Sequence, residues 1–333
     1  MTDLLFLNGV PDDQRVFCHF SQAQQGPTYV FPGAASFLLE TRKAFPDSQV
    51  ALIGPGFDIR LNPARLPRLL VNHIADPDTC AEGLRRCEAV RQQSGLPCFN
   101  LPERVARTSR DGVAGALQNI DGVHMPRTLR LRPRRPSDVT DTIAAEGLRY
   151  PVILRIAGDH GGRSMVKMDG PDDLDPLFSI PWGGNTLYVT EFVDYRDDDG
   201  LYRKTRLVVV GDEYFVRHRV RGDRWMIHVA DRDRKSLEEE SAFLAGFDRE
   251  WRPRLDGIIA AIRERIGLDY FGIDCSLRPD GRVLVFEANV GMKILFNQFQ
   301  SPNVWDAPIA RIETALVALL RDPTRWTAGR AAS

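Results

Sequence analysis

Asp274-Cys-Ser-Leu-Arg-Pro-Asp280-Gly281-Arg-Val-Leu-Val-Phe-Glu287-Ala-Asn289 reads as two β-strands joined by a tight turn. Asp-Gly favours a two-residue type I′ turn, because both central residues must tolerate positive φ. With the turn fixed there, Ile273 faces Ala288, Cys275 faces Phe286 and Leu277 faces Leu284 on one apolar face. On the other face Asp274 lies opposite Glu287, and Asn289 follows on the same side. Directly opposed carboxylates repel, so removing either acid is expected to relieve strain. Two carboxylates and an amide oxygen on one face are hard donors of the kind Mg²⁺ prefers. Asp274, Glu287 and Asn289 are therefore the candidate metal ligands.

Tyr270-Phe-Gly-Ile-Asp-Cys-Ser-Leu277 and Val285-Phe-Glu-Ala-Asn-Val-Gly-Met292 resemble the magnesium hairpin of the ATP-grasp superfamily, with an acid on one strand and Glu-x-Asn on the next. The wording is most similar to ATP-grasp proteins found beside or fused to tetratricopeptide repeats. It resembles ribosomal-protein glutamate ligases and D-alanine–D-alanine ligase more distantly. The resemblance implies an α/β class of fold, built as α+β lobes, with an N-terminal pre-ATP-grasp parallel α/β domain. It implies ATP and Mg²⁺ as cofactors, and a carboxylate–amine ligase working through an acyl phosphate. A small-molecule kinase and a non-catalytic ATP-binding regulatory protein are the alternatives.

Pro151-Val-Ile-Leu-Arg155-Ile-Ala-Gly-Asp-His160-Gly161-Gly162-Arg-Ser164 has the layout of a phosphate clamp: an apolar strand delivers a cation and a glycine loop folds back over the ligand. Glycines let backbone N–H groups approach phosphate oxygens closely. Arg155 stands where the superfamily commonly has lysine; it is always charged and can bind phosphate bidentately. His160, Gly161, Gly162 and Ser164 are candidate nucleotide contacts, in a loop expected to close over the ligand. The resemblance places another basic residue upstream, Arg110 or alternatively Arg107. Leu187-Tyr-Val-Thr-Glu191-Phe192-Val193 resembles the hinge that reads the adenine edge with its backbone, and Asp194 or Asp199 could hold the ribose. Lys204 and Arg206 lie two apart and so share a strand face; with Arg155 they are the candidate catalytic cations. Arg217, Arg219 and Arg221, with Trp225 and His228, are candidates for binding an acidic acceptor.

The chain has 333 residues, 43% hydrophobic and 27% charged, with a net charge of −1. That length suggests two or three lobes, and the charge gives no overall pull toward nucleic acid or anionic membrane. Arg130, Arg132, Arg134 and Arg135 cluster without interleaved aromatics, which favours a solvated loop. Five cysteines without a C-x-x-C pair suggest reduced thiols. The apolar start is short, without a basic lead, and no run approaches the ~20 apolar residues of a membrane span. The expectation is a cytoplasmic protein acting on small-molecule or peptide carboxylates and amines, with a homodimer left open.

Strands at Leu4–Leu7, Val50–Ile53 and Leu69–Val71 alternate with helices at Ser36–Ala44 and Pro77–Ser94, which predicts an open parallel sheet. Helices are also expected at Arg104–Ile120, 138–146, Pro253–Ile266 and Ala307–Leu320. Asp231–Glu240 reads as an exposed charged segment. The lobes are expected at 1–104, 105–190 and 191–326, with a frayed tail at 327–333.

Overall fold

The computed structural model describes residues 4–20, 27–62, 67–159, 162, 164–227 and 233–327. The first lobe is built from β1 (Leu4–Gly9), β2 (Phe17–Phe20), β3 (Pro27–Val30), α1 (Leu38–Arg42), β4 (Gln49–Ile53), β5 (Leu69–Asn72), α2 (Ala81–Ser94) and β6 (Cys98–Phe99). Its sheet runs β4-β1-β5-β6 with every pairing parallel, as strand–helix alternation requires. β1 and β5 are buried throughout. Helix α2 starts at Ala81, later than Asp76-Pro77 suggested. Asp76 instead accepts from Asp78 N and Thr79 Oγ1, while Asp12 caps the helix through Ala81 N and Glu82 N.

The expected helix over Arg104–Ile120 is two short ones, α3 (Pro102–Val105) and α4 (Arg110–Ala116). Ser109 restarts the chain as an N-cap, its hydroxyl accepting from Gly112 N. Then come β7 (Val123–His124), β8 (Thr128–Leu131), α5 (Pro136–Glu146), β9 (Val152–Ile156), β10 (Val166–Met168), α6 (Asp175–Phe178) and β11 (Leu187–Glu191). Strands β10-β9-β11-β8 form an antiparallel sheet. The last part holds β12 (Tyr202–Val210), β13 (Glu213–Gly222), α7 (Arg234–Glu250), α8 (Arg252–Ile266), β14 (Tyr270–Leu277), β15 (Val283–Asn289) and α9 (Asp306–Arg321). Its sheet runs β13-β12-β14-β15-β7.

Much of the segment expected to be exposed before α8 is helix α7, with Ser236 and Glu240 buried. Glu240 accepts from Trp305 Nε1 and Arg219 N, contacts that sequence spacing does not reveal. Thr327, expected to fray, donates N–H and hydroxyl to Asp269, and Trp326 before it is fully buried. No described helix is long and apolar enough to cross a membrane.

The cores decide how the lobes can behave. The first and last sheets share one continuous core. Asn100 joins them: its N–H and Nδ2 donate to Asp269 and Tyr270 O, and its Oδ1 accepts from the N–H groups of Asp269 and Tyr270 at 2.9 Å each. The β8–β11 sheet has its own core around Val139, Ile143, Val152, Leu154, Leu187 and Val189. A unit with its own core can shift as a body.

His73 lies in the shared core against Phe6 and Phe37, and its Nδ1 pairs with Asn8 Oδ1 at 2.8 Å. Burial lowers its pKa to about 3. Below about pH 6.5 the unfolded chain takes up a proton that the native residue refuses until about pH 3, so stability falls as pH falls through that window. The slope from this residue is about 1.4 kcal/mol per pH unit. Urea unfolding at pH 7 and pH 5 is expected to show it, and His73→Gln to lose it; an unchanged pH dependence in the variant contradicts the assignment.

Candidate functional site

The β14–β15 hairpin carries the site, and its register departs from expectation at two points that cancel. Only Gly281 in the turn takes a positive φ, +87°. Gly281 N donates to Arg278 O and Arg278 N to Arg282 O, so the loop has three residues, of the G1-bulge kind, rather than two. Leu277 therefore pairs with Val283, not Leu284, and Cys275 with Val285, not Phe286. A β-bulge at Phe286 then restores the register, leaving Asp274 opposite Glu287 and Ile273 opposite Ala288 as expected. The freed Phe286 packs on Tyr195 at 4.8 Å and lines the cavity described below.

The opposed carboxylates do not face each other alone. Arg206 donates Nε to Asp274 Oδ1 (2.7 Å) and Nη2 to Oδ2 (2.9 Å), while Lys204 Nζ lies 3.0 Å from Oδ2. Arg110 pairs with Glu287. Burial alone would raise the Asp274 carboxyl, but Arg206 and Lys204 more than offset it and hold it far below the usual carboxylate range. Glu287 is likewise lowered, with Arg110 overcoming burial. Asn289 Oδ1 accepts from Gly291 N at 2.9 Å. This corrects the expectation that the two acids are mutually strained. The donor set still fits a divalent cation: two ionised carboxylates and an amide oxygen converge where guanidinium groups now supply positive charge. No cluster of three or more His, Cys, Asp or Glu side chains suited to a metal occurs among the described residues, so the set depends on Asn289.

These residues line a cavity of about 530 Å³ between the β8–β11 sheet and the last sheet, within the range of small-molecule sites. Arg110, Arg155, Lys204, Arg206 and Lys293 give it five cations against three acids, Glu191, Asp274 and Glu287. Arg155, on β9, is 8% exposed; burial, and then Arg110, lower its pKa to about 10. Its Nη2 donates to Asp159 O, and its Nε is buried without a hydrogen-bond partner. A buried, unsatisfied guanidinium N–H lacks the acceptor it needs. Met125, Ile153, Met165, Trp225, Ile227 and Leu284 form much of the apolar wall.

Of the glycine loop, His160 and Gly161 lie outside the described residues. Gly162 lines the cavity, while Ser164 N and Oγ donate to Asp159 Oδ2 and Ser164 Oγ accepts from Ile156 N. Gly158 (φ +75°) abuts the first lobe, where an added Cβ would meet Thr79 Cγ2 at 2.6 Å. Glu191, Phe192 and Val193 line the cavity, but the N–H groups of Glu191 and Phe192 are already donated to Arg127 O and Pro151 O. Asp199 is not among the lining residues: Arg203 holds it at 2.6 Å in the loop before β12, and Asp194 pairs with Arg196. Arg110 reaches the cavity, whereas Arg107 is exposed.

The arginines of β13 are not acceptor ligands but braces. Arg217, 1% exposed, donates to Ile294 O and Phe296 O and lies over Trp305. Arg219 lies over Phe243, and Arg221 pairs with Asp233 and Glu239. Trp225 does line the cavity, and His228 lies outside the described residues. Sequence reasoning missed the methionines of the wall and Lys293. Four of the chain's six methionines, Met125, Met165, Met226 and Met292, line the cavity, a clustering spread too far along the chain to read as a motif.

Because Asp274 is paired, Asp274→Asn should destabilise the fold rather than relieve it, by about 3–5 kcal/mol for a buried pair broken on one side. Adding Arg206→Gln should recover part of the loss. Chemical denaturation of the two variants checks this, and unchanged or raised stability in Asp274→Asn contradicts it.

No protein-family model matches the chain, and no curated protein matches it in sequence. Solved structures do. The D-Ala:D-Ser ligase VanG of Enterococcus faecalis aligns over 96% of this chain and 100% of its own, with TM-score 0.55 and 12% identity. D-alanine–D-alanine ligase of Bacillus anthracis covers 99% and 98%, with TM-score 0.53 and 10% identity. A RimK-domain ATP-grasp protein of Sphaerobacter thermophilus covers 96% and 100%, with TM-score 0.51 and 14% identity. With near-complete coverage of both partners and an antiparallel sheet facing the carboxylate hairpin across a cavity, the chain has the ATP-grasp fold.

Proposed function

We propose that this chain is an ATP- and Mg²⁺-dependent carboxylate–amine ligase. The observation that carries the reading is the wall where Arg110, Arg155, Lys204 and Arg206 surround the opposed Asp274 and Glu287. Five cations against three acids in the cavity lining leave surplus positive charge, which suits a polyphosphate, and the hairpin acids with Asn289 suit its divalent cation. When bound, Mg²⁺ on Asp274, Glu287 and Asn289 would neutralise phosphate charge. The ligase names of the similar structures favour ligation over simple phosphorylation.

The chain's own groups have mainly to position and neutralise. Arg155 offers its unpartnered Nε to a phosphate oxygen. Arg206 and Lys204 pass part of their charge from Asp274 to the transferred group, and Arg110 does so from Glu287. The γ-phosphoryl leaves ADP as its bond to the bridging oxygen breaks and a carboxylate oxygen bonds to phosphorus. An amine nitrogen then bonds to the acyl carbon, the bond from that carbon to the phosphate oxygen breaks, and inorganic phosphate leaves with the proton the nitrogen gives up. The methionine-rich wall covers the base, with Val193 left to read its edge. The separately cored β8–β11 sheet is the part that closes and excludes water, protecting the acyl phosphate from hydrolysis. The substrates are small-molecule or peptide carboxylates and amines.

Incubation with ATP, Mg²⁺ and an amino-acid and carboxylate pool, followed by phosphate release and product mass, tests this. An amide with ADP and phosphate is expected. A product that retains phosphate would make the chain a kinase, and nucleotide binding without turnover a regulatory protein. Arg155→Ala should raise the ATP KM by roughly 10- to 150-fold, the loss of one charge-assisted bond, while Arg155→Lys keeps much of the activity. An unchanged KM in the alanine variant removes Arg155 from the phosphate contact.

A further inference from the structure

The loop that follows the hairpin carries a fifth cation of the cavity, whose surroundings differ from those of the phosphate wall. Lys293 is exposed to the cavity, and no acid lies within ion-pairing distance of it among the described residues; its only close charged or aromatic contact is the Phe296 ring, 5.9 Å from Nζ. Its backbone is nonetheless held on both sides. Ser36 of the first lobe donates to Met292 O at 2.7 Å, and the buried Arg217 donates to Ile294 O at 2.7 Å and Phe296 O at 3.1 Å. A fully buried arginine spent on two loop carbonyls fixes the base of Lys293 while leaving its ammonium group open. The chain also has 39 arginines and only 5 lysines, so arginine does its ordinary surface work. Lys204 and Lys293 are the two lysines that line the cavity.

Resting on the ligase reading above, we infer that Lys293 is a specificity residue that binds a substrate carboxylate other than the one being activated. A positive charge held on the reacting carboxylate would withdraw electron density from the oxygen that must attack phosphorus. The anion that suits Lys293 is one that keeps its charge through the reaction. The half-exposed Phe296 beside it offers an apolar surface for the carbon chain bearing that group. The second carboxylate can come from either substrate, as a dicarboxylic acid donor or an α-amino acid acceptor; the chemistry at Lys293 is the same.

The test is acetylation of Lys293 by an N-hydroxysuccinimide acetate, read by mass spectrometry on the full chain with ADP and Mg²⁺ present and scored against the exposed Lys43 and Lys235 of the same chain, so that reagent consumed by the amine probes cancels. Three probe sets are compared: succinate with glutarate, a mixture of the common α-amino acids, and the matching amino acid amides. Several-fold slowing by the first or second set, but not by the amides, is expected, and the set that protects names the source. Equal slowing by the amides, no slowing by any set, or full protection by ATP in place of ADP would overturn the assignment, the last by giving Lys293 to the γ-phosphate. Lys293→Met should weaken the protecting acid at least tenfold while leaving ADP affinity unchanged; a matching loss of ADP affinity again points to phosphate. The thermal shift given by ADP and Mg²⁺ on the same sample reports the nucleotide site separately. Its absence sinks the ligase reading, whereas its presence with unprotected Lys293 sinks only this subsite.

Discussion

Asp274 and its two cations set the terms for the rest of the site. The carboxylate is buried on β14, and Arg206 and Lys204 reach it from the neighbouring β12. A buried charge must be paired or it neutralises, so ionising Asp274 requires that strand neighbour. Glu287 repeats the constraint on β15 with Arg110, which comes from the start of α4. The short helix restarted at Ser109 is thereby tied to the hairpin. Cations and acids are presented together, and a polyphosphate with its divalent ion can exchange partners with both at once.

The distribution of cores matches that arrangement. The first and last sheets are joined through one apolar core and the Asn100 bonds, giving the hairpin a rigid base. The β8–β11 sheet brings Arg155 and the glycine loop on a separate core. It meets the first lobe through polar contacts of Arg130 and Tyr188 with Asp78, and through Gly158 against Thr79. Fixed acids on one side and a separately packed cation on the other is a division that lets a ligand be enclosed and released.

Asp280-Gly281 has the composition of a two-residue turn, but Gly281 alone supplies the positive φ that a three-residue loop needs. The bulge at Phe286 restores the register, so that Asp274 still meets Glu287. The start of helix α7 reads as part of an exposed charged segment because its buried members there, Ser236 and Glu240, are polar, and the partners of Glu240 lie far away in sequence. Arg217 looked like a ligand for the same reason: an arginine bonded to backbone carbonyls has no distinctive spacing.

What the sequence determined by itself was local and periodic: the parallel first sheet, the hairpin, and the shared face of Lys204 and Arg206. Each follows from strand alternation and turn chemistry, which act between near neighbours. Only the tertiary structure decided which cation meets which acid, that Arg110 rather than Arg107 reaches the cavity, that Asp199 is taken by Arg203, and that Lys293 stands apart. Those outcomes depend on contacts such as Arg110 with Glu287, 177 residues apart. Pairing of buried charges is settled by which groups packing brings within hydrogen-bond reach, and no local pattern encodes that distance.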